Sequence, residues 1–342
     1  MRIARVAATA LTAAVLITTP LTALAAPASA PGQAKPGHYA FAVIGDVPYG
    51  AAQIEKFPSW VQEINDADVE LTVHVGDIKN GSSRCDDSYF ATIRATADTF
   101  EQPFVYTPGD NEWTDCHRTN NGSYNPLERL DALRDVFYPA PGTTLGEKPM
   151  KVESQSDLGL PENVSWREQG VTFTAVHVVG SNNSLAPWSG LGNTSATPEQ
   201  VAEEAHRMEA SIAQVKDAFA DAEQRNDRAV AIFLQADMFD PTWDPTPADT
   251  SAFNELVQVL VDESNAFDGQ TYLFDGDSHV YNVDQPLAAG SKWLAHYGVT
   301  GNSDLTRVTV DGSSNNVDWL KVTINRPGAA QVLSWEQVPY RA

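Results

Sequence analysis

The stretch Leu71-Thr72-Val73-His74-Val75-Gly76-Asp77 decides how this chain is read, because a run of strand-forming residues ends abruptly in a glycine and an aspartate. A short apolar run bounded by turn residues reads as a buried strand. The same arrangement recurs along the chain. Phe41-Ala42-Val43-Ile44 leads into Gly45-Asp46, and Phe104-Val105-Tyr106-Thr107-Pro108 into Gly109-Asp110. Tyr272-Leu273-Phe274-Asp275 leads into Gly276-Asp277 and continues to Ser278-His279. Open α/β sheets place their ligand sites at strand C-termini, where glycine supplies a turn that leaves the aspartate free to project. One Gly-Asp step is ordinary loop punctuation. Carboxylates delivered repeatedly to strand ends point to a bound cation.

The segments between these steps have the length of a strand, turn, helix and return. Phe57, Trp60, Val61 and Ile64 recur with helical spacing, with Pro58 expected in the first turn, and so do Tyr89, Ile93, Ala97 and Phe100. Two βαβ units then make the first three strands parallel neighbours, with Asp46, Asp77 and Asp110 on one edge. His74 lies inside an apolar strand and reads as a core residue. Further on, Val171 to Val179 forms a strand. Thr197-Pro198-Glu199-Gln200 then has the pattern of a capping box opening a long helix. Its core stripe is Val201, Ala205, Met208, Ile212, Val215 and Phe219, with His206 off the stripe. Val230 to Leu234 is a strand that delivers Gln235-Ala236-Asp237. A helix over Phe253, Leu256, Val257, Leu260 and Val261 precedes the Asp277 strand. The alternations Thr306-Val308-Val310 and Trp319-Lys321-Thr323 predict antiparallel strands closing the domain. Residues 113–163, which carry Trp113, His117 and Tyr124, read as a loop-rich insertion serving as a lid or substrate rim.

The first 26 residues combine Arg2 and Arg5, an apolar stretch and a small-residue cleavage pattern, as in a secretory signal peptide cleaved there or as late as residue 30. Residues 31–37 form a flexible lead-in, and 38–342 a single domain. No later stretch approaches the length of a membrane span, so no stable membrane anchor is expected. The chain is therefore expected outside the cytoplasm, secreted or periplasmic. Cys85 and Cys116 are the only cysteines, and in that compartment they predict one disulfide tying together the loops after Asp77 and Asp110. A formal charge of −23 with no basic cluster argues against nucleic acid as a ligand. No Gly-x-Ser-x-Gly elbow and no glycine-rich phosphate loop is present.

The order of these motifs resembles the calcineurin-like metallophosphoesterase family over most of residues 40–340. The blocks that carry the likeness are Gly45-Asp46-Val47-Pro48, Gly76-Asp77, Gly109-Asp110-Asn111-Glu112, Gln235-Ala236-Asp237 and Gly276-Asp277-Ser278-His279. The resemblance implies an α/β fold, a four-layer αββα sandwich of two mixed sheets flanked by helices. It also implies one or two divalent metal ions held by Asp46, Asp77, Asp110, Asp277 and His279, with Asp77 bridging. Several positions depart from the family pattern. Pro48, Gln235 and Asp277 stand where the family has ligating histidines, Asp110 stands where it has asparagine, and Asn111 occupies the position of its catalytic histidine.

An oxygen-rich ligand set favours Mn, Mg or Ca over Zn, and iron is also compatible. The implied activity is metal-dependent hydrolysis of a small phosphorylated substrate. Asn111, Glu112 and His279 are the candidate catalytic positions, and His117 and Asp237 are further candidates to give the leaving group a proton. The alternative is a non-catalytic protein that binds a metal or a phosphorylated ligand on the same fold. The sequence leaves the substrate and the oligomeric state open.

Overall fold

The computed structural model describes residues 39–341, and the expected signal peptide and lead-in lie outside them. In chain order the strands are β1 (Tyr39–Ile44), β2 (Thr72–His74), β3 (Phe104–Tyr106), β4 (Glu153–Gln155), β5 (Leu160–Glu168) and β6 (Val171–Ala175). They continue as β7 (Ala229–Phe233), β8 (Gln270–Asp275), β9 (Asn282–Asp284), β10 (Thr306–Thr309), β11 (Asp318–Ile324) and β12 (Leu333–Pro339). The right-handed helices of more than one turn are α1 (Gly50–Asn65), α2 (Asp87–Ala97), α3 (Pro126–Phe137), α4 (Pro198–Arg225), α5 (Asn254–Ala266) and α6 (Lys292–Tyr297).

Two mixed sheets result, with strand orders β12-β11-β1-β2-β3 and β4-β5-β6-β7-β8-β10-β9. As the spacing of Asp46, Asp77 and Asp110 predicts, β1, β2 and β3 are parallel neighbours. Alternate residues of β1 face opposite ways, which gives the sandwich its layers. Phe41 and Val43 point inward and pack with Phe173, Phe233 and Phe274 of the second sheet. Ala42 and Ile44 point outward to Phe57 and Trp60 of α1, Ile93 of α2 and Leu133 of α3. On the far side, Val230 and Ile232 of β7 meet Val215 and Phe219 of α4, Leu260 of α5 and Trp293 of α6. The four layers are helix, sheet, sheet, helix. No helix among the described residues is long and apolar enough to cross a membrane.

Four expectations need correction. Pro58 lies in the interior of α1, on its exposed side, because the helix begins at Gly50. The 113–163 segment is less loop-rich than expected: α3 is capped by the Asn125 side chain, which accepts from Leu127 N–H, and buries Leu130, Leu133 and Phe137. Of the closing strands, β11 pairs antiparallel with β1 and β12 as expected, whereas β10 is antiparallel to β9 but parallel to β8. In α4 the capping box is present, yet Val201 and Ala205 are exposed, and the buried side of the first turns is Gln200, Glu204 and Arg207. Those polar groups hold a loop of the site rather than packing on the sheet.

Candidate metal centre

The Gly-Asp steps follow β1, β2, β3 and β8, so all four aspartates emerge at strand C-termini. Asp46, Asp77 and Asp277 take left-handed φ values of 54°, 59° and 67°, a region aspartate tolerates better than most residues. The glycines are present for two reasons. Gly76 has φ 94° and needs the freedom of its missing Cβ. Gly109 and Gly276 do not, and the reason there is space: a Cβ on Gly109 would strike the Asp77 carboxylate, and one on Gly276 the Asp46 carboxylate. Glycine at those steps admits a neighbouring carboxylate rather than making the turn expected from the sequence.

Two ligand groups form. One ligand atom each from Asp46, Asp77 and His279 lie within 4.8 Å of one another, and so do atoms from Asp77, Asp110 and Asp277. Asp77 belongs to both groups. Its Oδ1 accepts from the Asn111 backbone N–H (3.0 Å), and its Oδ2 accepts from Asn111 Nδ2 (2.7 Å), the Tyr49 hydroxyl (3.1 Å) and Gln235 Nε2 (3.3 Å). Burial, reinforced by the charges of Asp110, Glu112 and Asp46, pushes the Asp77 carboxyl well above its ordinary range. Burial, together with Asp110 and Asp46, does the same to Asp277. Burial lowers His279, but its hydrogen bond to Asp46 (3.2 Å) and the surrounding negative charge outweigh this and raise it overall. Carboxylates this close are stable together only when protons or cations neutralise them. An oxygen-rich donor set with one imidazole fits a divalent cation.

Around this cluster, supporting groups fix the ligands. Glu112 Oε1 accepts from the backbone N–H of Asp77 (3.1 Å) and of Gly109 (2.6 Å) and from the Tyr106 hydroxyl (2.7 Å). Lys79 is buried; its ammonium donates to the carbonyls of Asn111 (2.6 Å) and Asn80 (2.9 Å) and joins the two loops. The Cys85–Cys116 disulfide joins the same loops further out. Ser181 donates its hydroxyl to Asp110 Oδ2 (2.6 Å) from a turn in which Ser181, Asn182, Asn183 and Ser184 all have positive φ, 52° to 75°. Such backbone is costly in L-residues and persists only when its surroundings hold it. Here α4 holds it. Arg207 donates to the Asn183 carbonyl (2.9 Å), Glu204 accepts from Asn183 Nδ2 (2.9 Å), and Gln200 donates to the Ser184 and Ala186 carbonyls.

The cluster opens on two sides. A mouth of about 440 Å³ is lined by Tyr49, Asn111, His279 and the small polar residues Asn80, Ser82 and Ser313. A cleft of about 580 Å³ runs from Asp110 and Asp277 past Ser181 toward Trp243.

No protein-family model and no curated protein sequence matches the chain. Solved structures do. A dimetal phosphatase from Danio rerio superposes with a TM-score of 0.52 at 11% identity, covering 89% of this chain and 99% of that one. The anchor in the inner membrane complex of Plasmodium gives 0.45 at 12% identity, covering 90% of each chain. A purple acid phosphatase from yellow lupin (Lupinus luteus) seeds gives 0.44 at 11% identity, covering 90% of this chain and 52% of that one. The fold is that of the calcineurin-like metallophosphoesterases.

Within this metallophosphoesterase fold, Asp46, Asp77, Asp110, Asn111, Asp277 and His279 all meet at one place. The proton-donor candidates separate. Glu112 is fully buried beneath the ligands and faces backbone. His117 turns away, its Nδ1 accepting from Gly190 N–H (3.1 Å), and burial with the Arg118 charge lowers it. Asp237 is held in a buried ion pair by Arg307. Only His279 stands at the mouth. His74 is the core residue expected, with Nε2 2.8 Å from the Val47 carbonyl. Three supporting residues escaped the sequence reading: Tyr49, Lys79 and Ser181. Tyr49 and Lys79 sit within three residues of a Gly-Asp aspartate, which is the one sequence signal that could have found them.

Proposed function

We propose that the chain is an exported metal-dependent phosphoester hydrolase whose metal ligands are Asp46, Asp77, Asp110, Asp277 and His279. The observation that carries this reading is that one buried carboxylate, Asp77, is common to both ligand groups. With Asp77 common to both groups, Asp46, Asp77 and His279 would hold one divalent cation and Asp77, Asp110 and Asp277 a second, and such cations would supply Lewis acidity toward a phosphoryl group. The protein's own groups do the rest. Asn111 fixes Asp77 through its backbone N–H and its side chain, while Glu112 and Lys79 fix the loops beneath. Asn80, Ser82 and Ser313 at the mouth offer neutral donors for phosphoryl oxygens. Asn111 cannot release a proton, so esters with weakly basic leaving groups are the preferred substrates. The hydrolase unit is a single domain over 38–342, exported by the N-terminal signal peptide, and the disulfide is compatible with that compartment.

A second reading has one observation in its favour. Asp77 Oδ2 is within hydrogen-bond distance of three neutral donors, from Asn111, Tyr49 and Gln235, so part of the charge compensation is already met without a cation. This suits a ligand-binding protein without turnover. Hydrolysis of a chromogenic aryl phosphate by purified protein, with and without added Mn²⁺, Mg²⁺ or Ca²⁺, separates the two. Turnover that rises with metal and is lost in Asp77→Ala supports the hydrolase, and metal binding without turnover supports the alternative.

A further inference from the structure

We propose that the substrate is a phosphodiester carrying an organic cation on one of its two substituents, and that this substituent lies in the cleft leading from Asp110 and Asp277 to Trp243. The inference rests on the hydrolase reading above and names the substrate class of that same site.

Two openings meet at one cluster. Asp110 and Asp277 line both the mouth and the cleft, so a phosphorus atom at the ligands has open space on either side. A monoester has one organic substituent and fills one of the two. A diester has two, and the cluster offers a place for each.

Charge decides what the cleft accepts. No lysine or arginine lines either opening. Beyond the proposed ligands, the cleft presents Asp237, Asp240 and Asp249. Asp240 Oδ1 accepts from the N–H and the hydroxyl of Thr242 (both 2.7 Å), and Asp249 Oδ2 accepts from the N–H (2.9 Å) and the hydroxyl (2.7 Å) of Thr246. These bonds fix the two side chains on turns, yet among the described residues neither carboxylate forms an ion pair with lysine or arginine. Asp237 Oδ1 accepts from Arg307 and from the Phe239 N–H (2.9 Å), while its Oδ2, on a side chain only 1% exposed, has no hydrogen-bond partner. An anionic substituent in this cleft meets like charge alone. A cationic one meets opposite charge and an aromatic face, since Trp243 stands in the cleft wall with 49% of its surface exposed. Indole faces attract organic cations more strongly than other aromatic rings do.

With the cation in the cleft, the mouth receives the group that departs. Water adds its oxygen to phosphorus and the P–O bond to the group in the mouth breaks. One water proton ends on the departing oxygen, and the other goes to the cationic monoester or to solvent.

The test compares kcat/KM of purified protein with added Mn²⁺ on three chromogenic substrates that share one departing group: 4-nitrophenylphosphocholine, bis(4-nitrophenyl) phosphate and 4-nitrophenyl phosphate. Both diesters are expected to outrun the monoester, and the cationic diester to outrun the neutral one by at least about tenfold at low salt. Trp243→Ala should cut that preference for the cation by about threefold or more. Asp240→Asn, which keeps an acceptor for the turn, should lower it at low salt and flatten its salt dependence. Asp268→Asn, which removes an exposed charge just before β8, at the far end of the strand from Asp277, should leave it unchanged. A monoester turned over faster than both diesters overturns the assignment, as does a neutral diester equal to or faster than the cationic one. A preference that survives both Trp243→Ala and Asp240→Asn overturns the placement in the cleft. Absence of turnover of all three contradicts the hydrolase reading itself, and this substrate class with it.

Discussion

The Ser181 hydroxyl donates to Asp110 Oδ2 across 2.6 Å, from a turn whose backbone is left-handed at four successive non-glycine residues. A positively charged helix residue on the far side of that turn, Arg207, holds it together with Gln200 and Glu204. The hydroxyl and the arginine thus act in series on Asp110, one of the proposed metal ligands. Ser181→Ala is expected to leave the fold intact, costing about 0.5–1.5 kcal/mol. Metal affinity should fall by about 10- to 100-fold, the usual effect of losing an outer-shell partner. Thermal unfolding and metal titration of the same preparations check both numbers.

Arg207→Met should act more severely. Its guanidinium is fully buried and donates to the carbonyls of His177 (2.9 Å) and Asn183 (2.9 Å) and to the Ser184 hydroxyl (3.1 Å). Removing it strands those acceptors in the interior, a loss of about 3–5 kcal/mol. Urea unfolding monitored by tryptophan fluorescence measures it. A loss below about 1 kcal/mol, within the range of a single ordinary hydrogen bond, contradicts the anchoring role.

Asn111 is expected to limit the range of substrates. Without a proton donor at that position, rates should fall steeply as the leaving group becomes more basic. Asn111→His installs an imidazole facing the mouth, and general acid catalysis is worth about 10²–10⁴-fold. The variant should gain toward alkyl phosphates and change little toward nitrophenyl phosphate. Equal rates for both substrate types in the wild type would contradict this.

Stability should depend on pH through His74. Burial holds its imidazole down to about 4 from an ordinary 6.5, neutral in the folded core. The unfolded chain takes up that proton near pH 6.5 and the folded chain does not. The contribution is therefore fully present above pH 6.5 and is lost as pH falls toward 4, by about 3 kcal/mol. Urea midpoints between pH 7 and pH 4.5 should fall in the wild type and fall less in His74→Gln. Parallel slopes would assign the acid sensitivity to other groups.

Much of this was legible in the sequence because strand-end aspartates carry a two-part signal, an apolar run and then a turn. That signal located Asp46, Asp77, Asp110 and Asp277, and predicted the parallel order of β1, β2 and β3. His279 was legible by adjacency to Asp277. Tyr49 was not, since a tyrosine three residues past an aspartate has no periodicity to mark it as facing inward. The start of α4 misled for a physical reason: apolar spacing assumes that a buried face is apolar. Gln200, Glu204 and Arg207 are buried because a strained turn needs donors and acceptors there. α3 did carry readable signals, Asn125-Pro126 followed by Leu130, Leu133 and Phe137, but they were overshadowed by the polar residues around them.

The central claim is that Asp77 bridges a metal centre that hydrolyses phosphoesters. The most direct measurement is metal content by mass spectrometry together with aryl phosphate turnover, on matched wild-type and Asp77→Asn protein. The account predicts one or two divalent ions per wild-type chain with metal-dependent turnover. In Asp77→Asn it predicts loss of bound metal and a rate lower by at least about 10³-fold, on the scale of removing a main electrostatic contributor to catalysis. Wild-type protein that binds metal and turns over substrate equally well after Asp77→Asn would contradict it.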